Sequence, residues 1–398
     1  MPWRETLPMN ERLRFIADYL RENFTVSELC GRYQVSRKTG YKWIERYEAE
    51  GPRGLHDVSR RPHSCPHVTS PAVVKALLQA RHHHPNWGAK KLLAILGRRY
   101  PRSPWPARST ACDILRRHGL IEKPRRRPRL GHPGRPLTPM TAPNVIWTAD
   151  FKGQFRTRDG LYCYPLTVVD GFSRFLLGCQ ALPGPTHEAS QPVFRRLFQE
   201  YGLPQILRTD NGVPFATSAL ARLSRLSVWW IRLGIYPELI EPAHPEQNGR
   251  HERMHRTLKK DTTRPPSGSL PAQQRRFTSF REEYNHVRPH EALGQRPPAT
   301  AYRPSNRPYP DRLPPIEYPP HFERRLVSLN GGIRWRVRWV NVSHVLGQQY
   351  VGLEEIDNGL WNVFFGPLHL GQLNERTYRI EDHRGRLRRR NVLPMSPD

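Results

Sequence analysis

The chain has 398 residues and a formal net charge of +29, from 64 Lys and Arg against 35 Asp and Glu. Such an excess points to a polyanionic partner, because neutralising phosphates releases counterions, and no stretch of about 18 apolar residues exists to span a bilayer. The five cysteines (Cys30, Cys65, Cys112, Cys163 and Cys179) form no C-x-x-C pair and the N-terminus MPWRETLPMNERLRF has no apolar signal core, which argues against a disulfide framework or a cysteine zinc site and fits a cytoplasmic, nucleoid-associated protein.

Residues 10–22 carry a helical stripe of Leu13, Ile16, Ala17 and Leu20. Thr25 is placed to cap the next helix, VSELCGRYQ, with Glu28 completing a capping box. Ser36 is placed to cap RKTGYKWIERYEAEG. Residues 1–60 therefore read as a helix-turn-helix whose last helix offers Arg37, Lys38, Thr39 and Lys42 to DNA. An ordinary three-helix bundle shares the pattern, but the basic residues at the start of that helix favour DNA. Residues 68–122 repeat the theme: SPAVVKALLQAR with Ser70 as cap and Pro71 at the first helical position, HPNWGAKKLLAILGRRY, and RSTACDILRRHG capped by Ser109 and ended by Gly119. The run His82, His83, His84 has no partner at ligand spacing for zinc. Residues 123–142 are a basic, Pro- and Gly-rich linker whose Arg125, Arg126 and Arg127 can lie along phosphates.

From 143 to 300 the pattern changes. NVIWTADFKG, LYCYPLTVVD and SRFLLGCQAL read as three strands, HEASQPVFRRLFQEYG as a helix and PQILRTDNG as a fourth strand. ATSALARLSRLSVWWIRLG reads as a helix, IYPELIEP as a fifth strand, and a long helix starts near 246. Residues 271–293 add another helix with a capping segment. This is the element order of an RNase H-like fold. Residues 301–323 read as a proline-rich linker, 324–380 as a small antiparallel barrel and 381–398 as a basic tail without regular structure. The expected class is multidomain α+β: N-terminal all-α helix-turn-helix units, a central α/β RNase H-like core and a C-terminal all-β barrel.

Three acidic residues carry the chemistry. Asp150 and Asp210 each close an apolar strand, although Asp-Asn-Gly after strand four would also suit a plain turn. A glutamate follows on a basic amphipathic helix. Carboxylates gathered from two strand ends and a helix can hold two divalent metals for in-line attack on a phosphodiester. Two glutamates compete. Glu246 lies 36 positions after Asp210 and Glu252 lies 42 after it. On a helix, Asn248, Glu252, Arg256 and Lys259 share one face, so Glu252 can face metals while Arg256 and Lys259 reach DNA. Glu246 sits at the helix start, where a carboxylate favours the N-terminus. Asp170 in VVDGFSR closes a strand before a turn and reads as structural.

TADFKG, VVDGFSR, RTDNG, HPEQNGRHERMHRTLK and FREEYNHVRPHEAL together resemble the integrase-core transposases of the IS481 group, relatives of IS3 transposases and retroviral integrases. The resemblance covers most of residues 10–300. It implies an Asp-Asp-Glu polynucleotidyl transferase with two Mg²⁺ ions, replaceable by Mn²⁺, acting on double-stranded DNA as a homo-oligomer that pairs two element ends. Its pattern N-G-x-x-E-R-x-H-R-T-L falls on Asn248, Gly249 and Glu252 and so selects Glu252, whereas the family's usual spacing selects Glu246. An insertion near SRLSVWWIRLG accounts for the difference. Asp150, Asp210 and Glu252 are the expected catalytic and metal-binding residues. Asn248, Arg256, Lys259 and Arg288 join the expected DNA contacts, with Arg288 and His290 also able to brace the active-site helix. Two other readings remain: a catalytically silent, transposase-derived DNA-binding regulator, and a nuclease for RNA–DNA hybrids. The duplex-reading helix-turn-helix units disfavour the latter.

Overall fold

The computed structural model describes residues 8–57, 59, 68–121, 137–241 and 244–382, the side chains of residues 245 and 246 excepted. Arg125, Arg126, Arg127, Cys65, the Glu246 side chain and the tail from 383 lie outside the described residues. The chain divides into two compact units, residues 1–69 and 70–398. The first holds α1 (Pro8–Leu20), α2 (Val26–Arg32) and α3 (Arg37–Glu50). Thr25 and Glu28 make the expected capping box, and the Ser36 hydroxyl accepts the Thr39 N–H. The inward stripe of α1 differs from expectation. Phe15 and Ile16 are buried, whereas Leu13 and Leu20 are exposed. Apolar residues sit on both sides of this helix, so period alone admits two stripes; Phe15 wins by meeting the Tyr33 ring edge-on at 5.4 Å.

The second unit opens with α4 (Pro71–His83), α5 (Ala89–Arg99) and α6 (Arg108–Arg117) around Leu77, Trp87, Leu92, Ala111 and Leu115. Ser70 caps α4 as expected. Ser109 does not cap α6: the helix already starts at Arg108, its cap is Ala107, and no side chain closes that end. Gly119, at φ +69°, takes the left-handed turn that follows.

The central sheet comprises β1 (Ile146–Phe151), β2 (Phe155–Arg156), β3 (Tyr162–Asp170) and β4 (Leu176–Leu182), then α7 (His187–Tyr201), β5 (Ile206–Thr209), α8 (Arg225–Arg232) and β6 (Tyr236–Leu239). β1 lies at its centre, antiparallel to β3 and parallel to β5; β4 flanks β3 and β6 flanks β5. This is the RNase H-like arrangement. Helix α9 (Gly249–Thr262) and α10 (Leu270–Glu282) follow, the latter running into a π-helical turn over Glu283–Val287. Strand alternation sends Trp147, Ala149, Leu166 and Val168 into one core with α7 and α8. Val169, Leu176 and Cys179 enter a second core with Met254, Leu258, Phe277 and Phe280 of α9 and α10. The helix expected over 216–234 is confined to α8. Ala221 and Arg222 take positive φ, and Ser224 with Ser227 forms a fresh capping box.

The C-terminal part contains β7 (Glu323–Leu326), β8 (Gly332–Trp335), β9 (Arg338–Asn341), β10 (Tyr350–Asp357), β11 (Leu360–Phe365), β12 (Leu368–Asn374) and β13 (Arg379–Glu381). Five strands pair in the order β13-β12-β11-β10-β7, and β8–β9 is a separate hairpin over the same core. GIRWRVRWVNV is thus two strands, broken at Arg336 with φ +51°. The proline-rich 301–323 segment is more than a linker. Arg307 donates to the carbonyls of Pro204 (2.7 Å), Leu233 (3.1 Å) and Gly234 (2.8 Å), and Tyr302, Tyr309 and Leu313 pack on the central core. Proline in extended backbone loses little entropy when strapped down, and its neighbours here supply the contacts. No helix among the described residues is long and apolar enough to cross a membrane.

Candidate active site

Parallel pairing of β1 with β5 puts Ala149 opposite Thr209. The next residues, Asp150 and Asp210, therefore leave the same sheet edge on neighbouring strands, which closes their separation in sequence. Asp150 shares its sheet face with Thr148, the face covered by α9. Asp210 accepts the Gly212 N–H at 3.2 Å, and Asn211 donates to the Ile240 carbonyl at 2.7 Å, which ties the turn to the strand next door. Glu252 is exposed on the first turn of α9.

The neighbouring carboxylates act on Asp150. Burial pushes the Asp150 carboxyl up to about 7; the Asp210 charge adds to this and Glu252 contributes a smaller push, against Lys152 and the Phe151 N–H. Burial also raises Asp210, opposed by the Gly212 hydrogen bond. Lys152, from TADFKG, is lowered by burial and by Lys259 nearby. Crowded acidic oxygens with one half-buried cation among them are the donor set a hard divalent metal relieves. By donor chemistry the carboxylates present suit Mg²⁺, although the oxygens of Asp150, Asp210 and Glu252 do not gather within 4.8 Å of one another as they stand.

Two further residues stand behind Asp150 that the sequence reading passed over. His251 and His255 project from α9 into the sheet, one helical turn apart. Their Nε2 atoms lie 2.6 and 2.7 Å from the Thr167 hydroxyl, and His251 Nδ1 lies 2.9 Å from that of Thr148. The Thr167 hydroxyl is also 3.0 Å from the Asp150 carbonyl. His255 Nδ1 is 3.6 Å from Asp150 Oδ2. Burial pulls His251 down to about 3 and His255 well below the usual histidine range, so both imidazoles are neutral. Asp150, His251 and His255 place ligand atoms within 4.8 Å of one another, yet both rings are engaged with threonines. Their i, i+4 spacing in RHERMH was the available signal.

The other expected site residues fall in different places. Arg256 and Lys259 are exposed on the Glu252 face of α9. Asn248 is buried rather than exposed: it is the N-cap residue of α9, because the helix begins only at Gly249. Arg288 is also buried. It pairs with Asp261 at 3.5 Å, reaches Thr257 at 3.4 Å and lies over the Trp87 ring at 5.7 Å, so it braces α9 against the second helical unit. Asp170 is structural: it accepts the Asn144 N–H and the Ser173 N–H at 2.7 Å each. In the first unit Arg37, Lys38 and Lys42 are exposed, while Thr39 is half-buried with its hydroxyl 2.9 Å from Ser36.

Residues 140–245 and 233–298 match models of an integrase core domain. Residues 140–298 are an integrase core. Ahead of it, residues 11–63 match a helix-turn-helix domain and 39–115 a homeodomain-like domain. The chain is 30% identical over 122 residues to the Gag-Pol polyprotein of Baboon endogenous virus, a match covering 31% of this chain and 7% of that one. It is 34% identical over 128 residues to the Pol polyprotein of Radiation murine leukemia virus, covering 31% and 20%. An uncharacterized 39.2 kDa protein of insertion element IS476 from Xanthomonas euvesicatoria is 30% identical over 169 residues, covering 41% and 45%. The chain thus spans less than half of each of these relatives. Among solved structures it is similar to the simian T-cell lymphotropic virus intasome in complex with PP2A regulatory subunit B56 gamma (TM-score 0.37, 16% identity, 75% of this chain and 97% of that one). It is also similar to the HTLV-2 integrase catalytic core domain in complex with magnesium (TM-score 0.33, 16% identity, 41% and 99%).

Proposed function

We propose that this protein is a DNA transposase of the IS481 type, which binds the terminal repeats of its element and cleaves and joins DNA strands. The observation that supports the reading is that Asp150 and Asp210 leave the same sheet edge on neighbouring strands, with Glu252 on the helix that covers the Asp150 face. When bound, two Mg²⁺ ions would supply Lewis acidity toward the attacking and leaving oxygens of the phosphodiester. Asp150, Asp210 and Glu252 would hold them and leave positions open for phosphate oxygens. Lys152, Arg256 and Lys259 would orient the phosphates of the bound strand, and the His251–Thr167–His255 cluster would fix the Asp150 backbone. The exposed Arg37, Lys38 and Lys42 would read the element ends, with a homo-oligomer pairing them in the cytoplasm. The net charge of +29 suits such a partner.

The test is Mg²⁺- or Mn²⁺-dependent cleavage and joining on oligonucleotides copied from the DNA flanking the gene. Asp150→Asn and Glu252→Gln should each abolish both steps while leaving duplex affinity intact, and Glu246→Gln should keep them. Loss in Glu246→Gln with activity retained in Glu252→Gln would transfer the third ligand to Glu246. An inactive wild-type chain that still binds those ends tightly would make the protein a regulator.

A further inference from the structure

Helix α9 presents three faces. Glu252, Arg256 and Lys259 point one way, and His251, His255 and Leu258 pack on the sheet. At 3.6 residues per turn, Arg250, Thr257 and Asp261 lie on the side away from Glu252, with Arg253 at its edge. Cations from three other places gather there: Arg174 from the turn after β3, Arg288 and His290 from the segment after α10, and Lys91 from α5. They are close enough to act on one another. Arg250 and Arg253 oppose the charge on Arg174, Arg288 and Arg253 oppose that on Lys91, and Lys91, Arg288 and Arg174 all bear on His290.

The nearby acids are engaged elsewhere. Asp261 pairs with Arg288 and Glu291 with Lys90, although both still reach Lys91; Asp170 is held by Asn144 and Ser173, although it still acts on Arg174. Arg250 bonds the Gly171 carbonyl at 3.0 Å and the Met140 sulfur at 2.9 Å. Arg174 Nη1 and His290 Nε2 are buried with no hydrogen-bond partner. Among the described residues the side chains of Arg174, Arg253 and Lys91 make no ion pair or hydrogen bond. A guanidinium with a buried, unbonded nitrogen, acted on only weakly by Asp170, gains from an anion that completes it, and its planar fork matches a phosphate.

We propose that Arg174, Arg250, Arg253 and Lys91 form a second phosphate site, on the side of α9 away from Glu252, that takes a backbone phosphate of duplex DNA lying across the joint between the second helical unit and the integrase core. The proposal rests on the DNA-binding reading above. DNA is favoured over a free anion because Arg250 and Arg253 are exposed at the mouth and can follow a strand outward.

The experiment measures binding of a short fluorescein-labelled duplex by anisotropy over a salt series, without divalent metal. Full-length wild type is compared with Arg174→Gln and Lys91→Gln, and the Tm of each free protein is recorded. Each variant should bind about tenfold more weakly at low salt and lose about 0.9 from the slope of log K against log salt, one phosphate's share. Arg174→Gln should leave the free-protein Tm equal or higher, because an unpaired buried charge is gone. Unchanged affinity and slope in both variants, with wild type binding normally, would overturn the site. A lower Tm with unchanged binding would make Arg174 a structural brace. Stabilisation by sodium phosphate that Arg174→Gln removes, without any change in duplex affinity, would assign the site to a free anion. Failure of wild type to bind duplex at all would overturn the DNA reading and this site with it.

Discussion

At the scale of single residues, the candidate site is a problem of crowding. Asp150 is shielded from water and Asp210 adds like charge beside it, which together push its carboxyl up to about 7. A carboxyl whose folded pKa is raised stabilises the folded chain fully below its unfolded value, near pH 4. It loses that contribution as pH rises through the folded value. The metal-free protein should therefore show a Tm that falls between about pH 4 and pH 7. Asp150→Asn should flatten that fall, and Mg²⁺ should raise the Tm above pH 7 in wild type alone; calorimetry across pH checks all three. Thr167 sits at the centre of the histidine pair. Thr167→Val leaves two buried imidazole nitrogens unsatisfied and should cost about 1–3 kcal/mol in chemical denaturation. The positions of the two aspartates at neighbouring strand ends were legible in the sequence because each follows an apolar run. Thr148, Thr167 and the histidines were not, because their role exists only where β1, β3 and α9 meet.

At the scale of elements, local chemistry and packing decided different things. Thr25, Ser36 and Ser70 cap the helices they precede, since a hydroxyl that satisfies an end N–H needs no distant partner. Ser36→Ala should lower the stability of the first unit by about 1 kcal/mol, read by thermal unfolding. Helix α8 shows the opposite case. Leu226 and Trp230 fill the central core while Val228 and Ile231 fill the C-terminal one. The break ahead of this helix, at Ala221 and Arg222 with positive φ, carries no Gly or Pro to mark it, so the expected helix ran on through it. Trp230→Ala should cost about 3–5 kcal/mol, because the cavity opens between rings of Phe194 and Phe215.

At the scale of the whole molecule, the two compact units carry separate cores. Calorimetry of the full chain should resolve two transitions. Leu29→Ala, in the first unit's core, should destabilise one of them by about 2–5 kcal/mol and leave the other in place. The proline-rich strap belongs to the second unit through Arg307. Arg307→Ala should lower that unit's Tm alone, since three carbonyls lose their donor.

By itself the sequence determined the strong positive charge, the order of helices and strands, the caps of α2, α3 and α4, and the strand-end positions of two aspartates. Each of these is encoded in charge, period or a residue's own immediate neighbours. Only the tertiary structure decided which stripe of α1 turns inward, that Asn248 and Arg288 are buried rather than presented, and that the proline-rich segment lies on the core. It also decided that neutral histidines stand behind Asp150 and that unpaired cations collect beyond α9. Those outcomes depend on which faces meet across long sequence separations. No local pattern records that meeting, because the same residue is a solvated charge or a buried brace according to what packs against it.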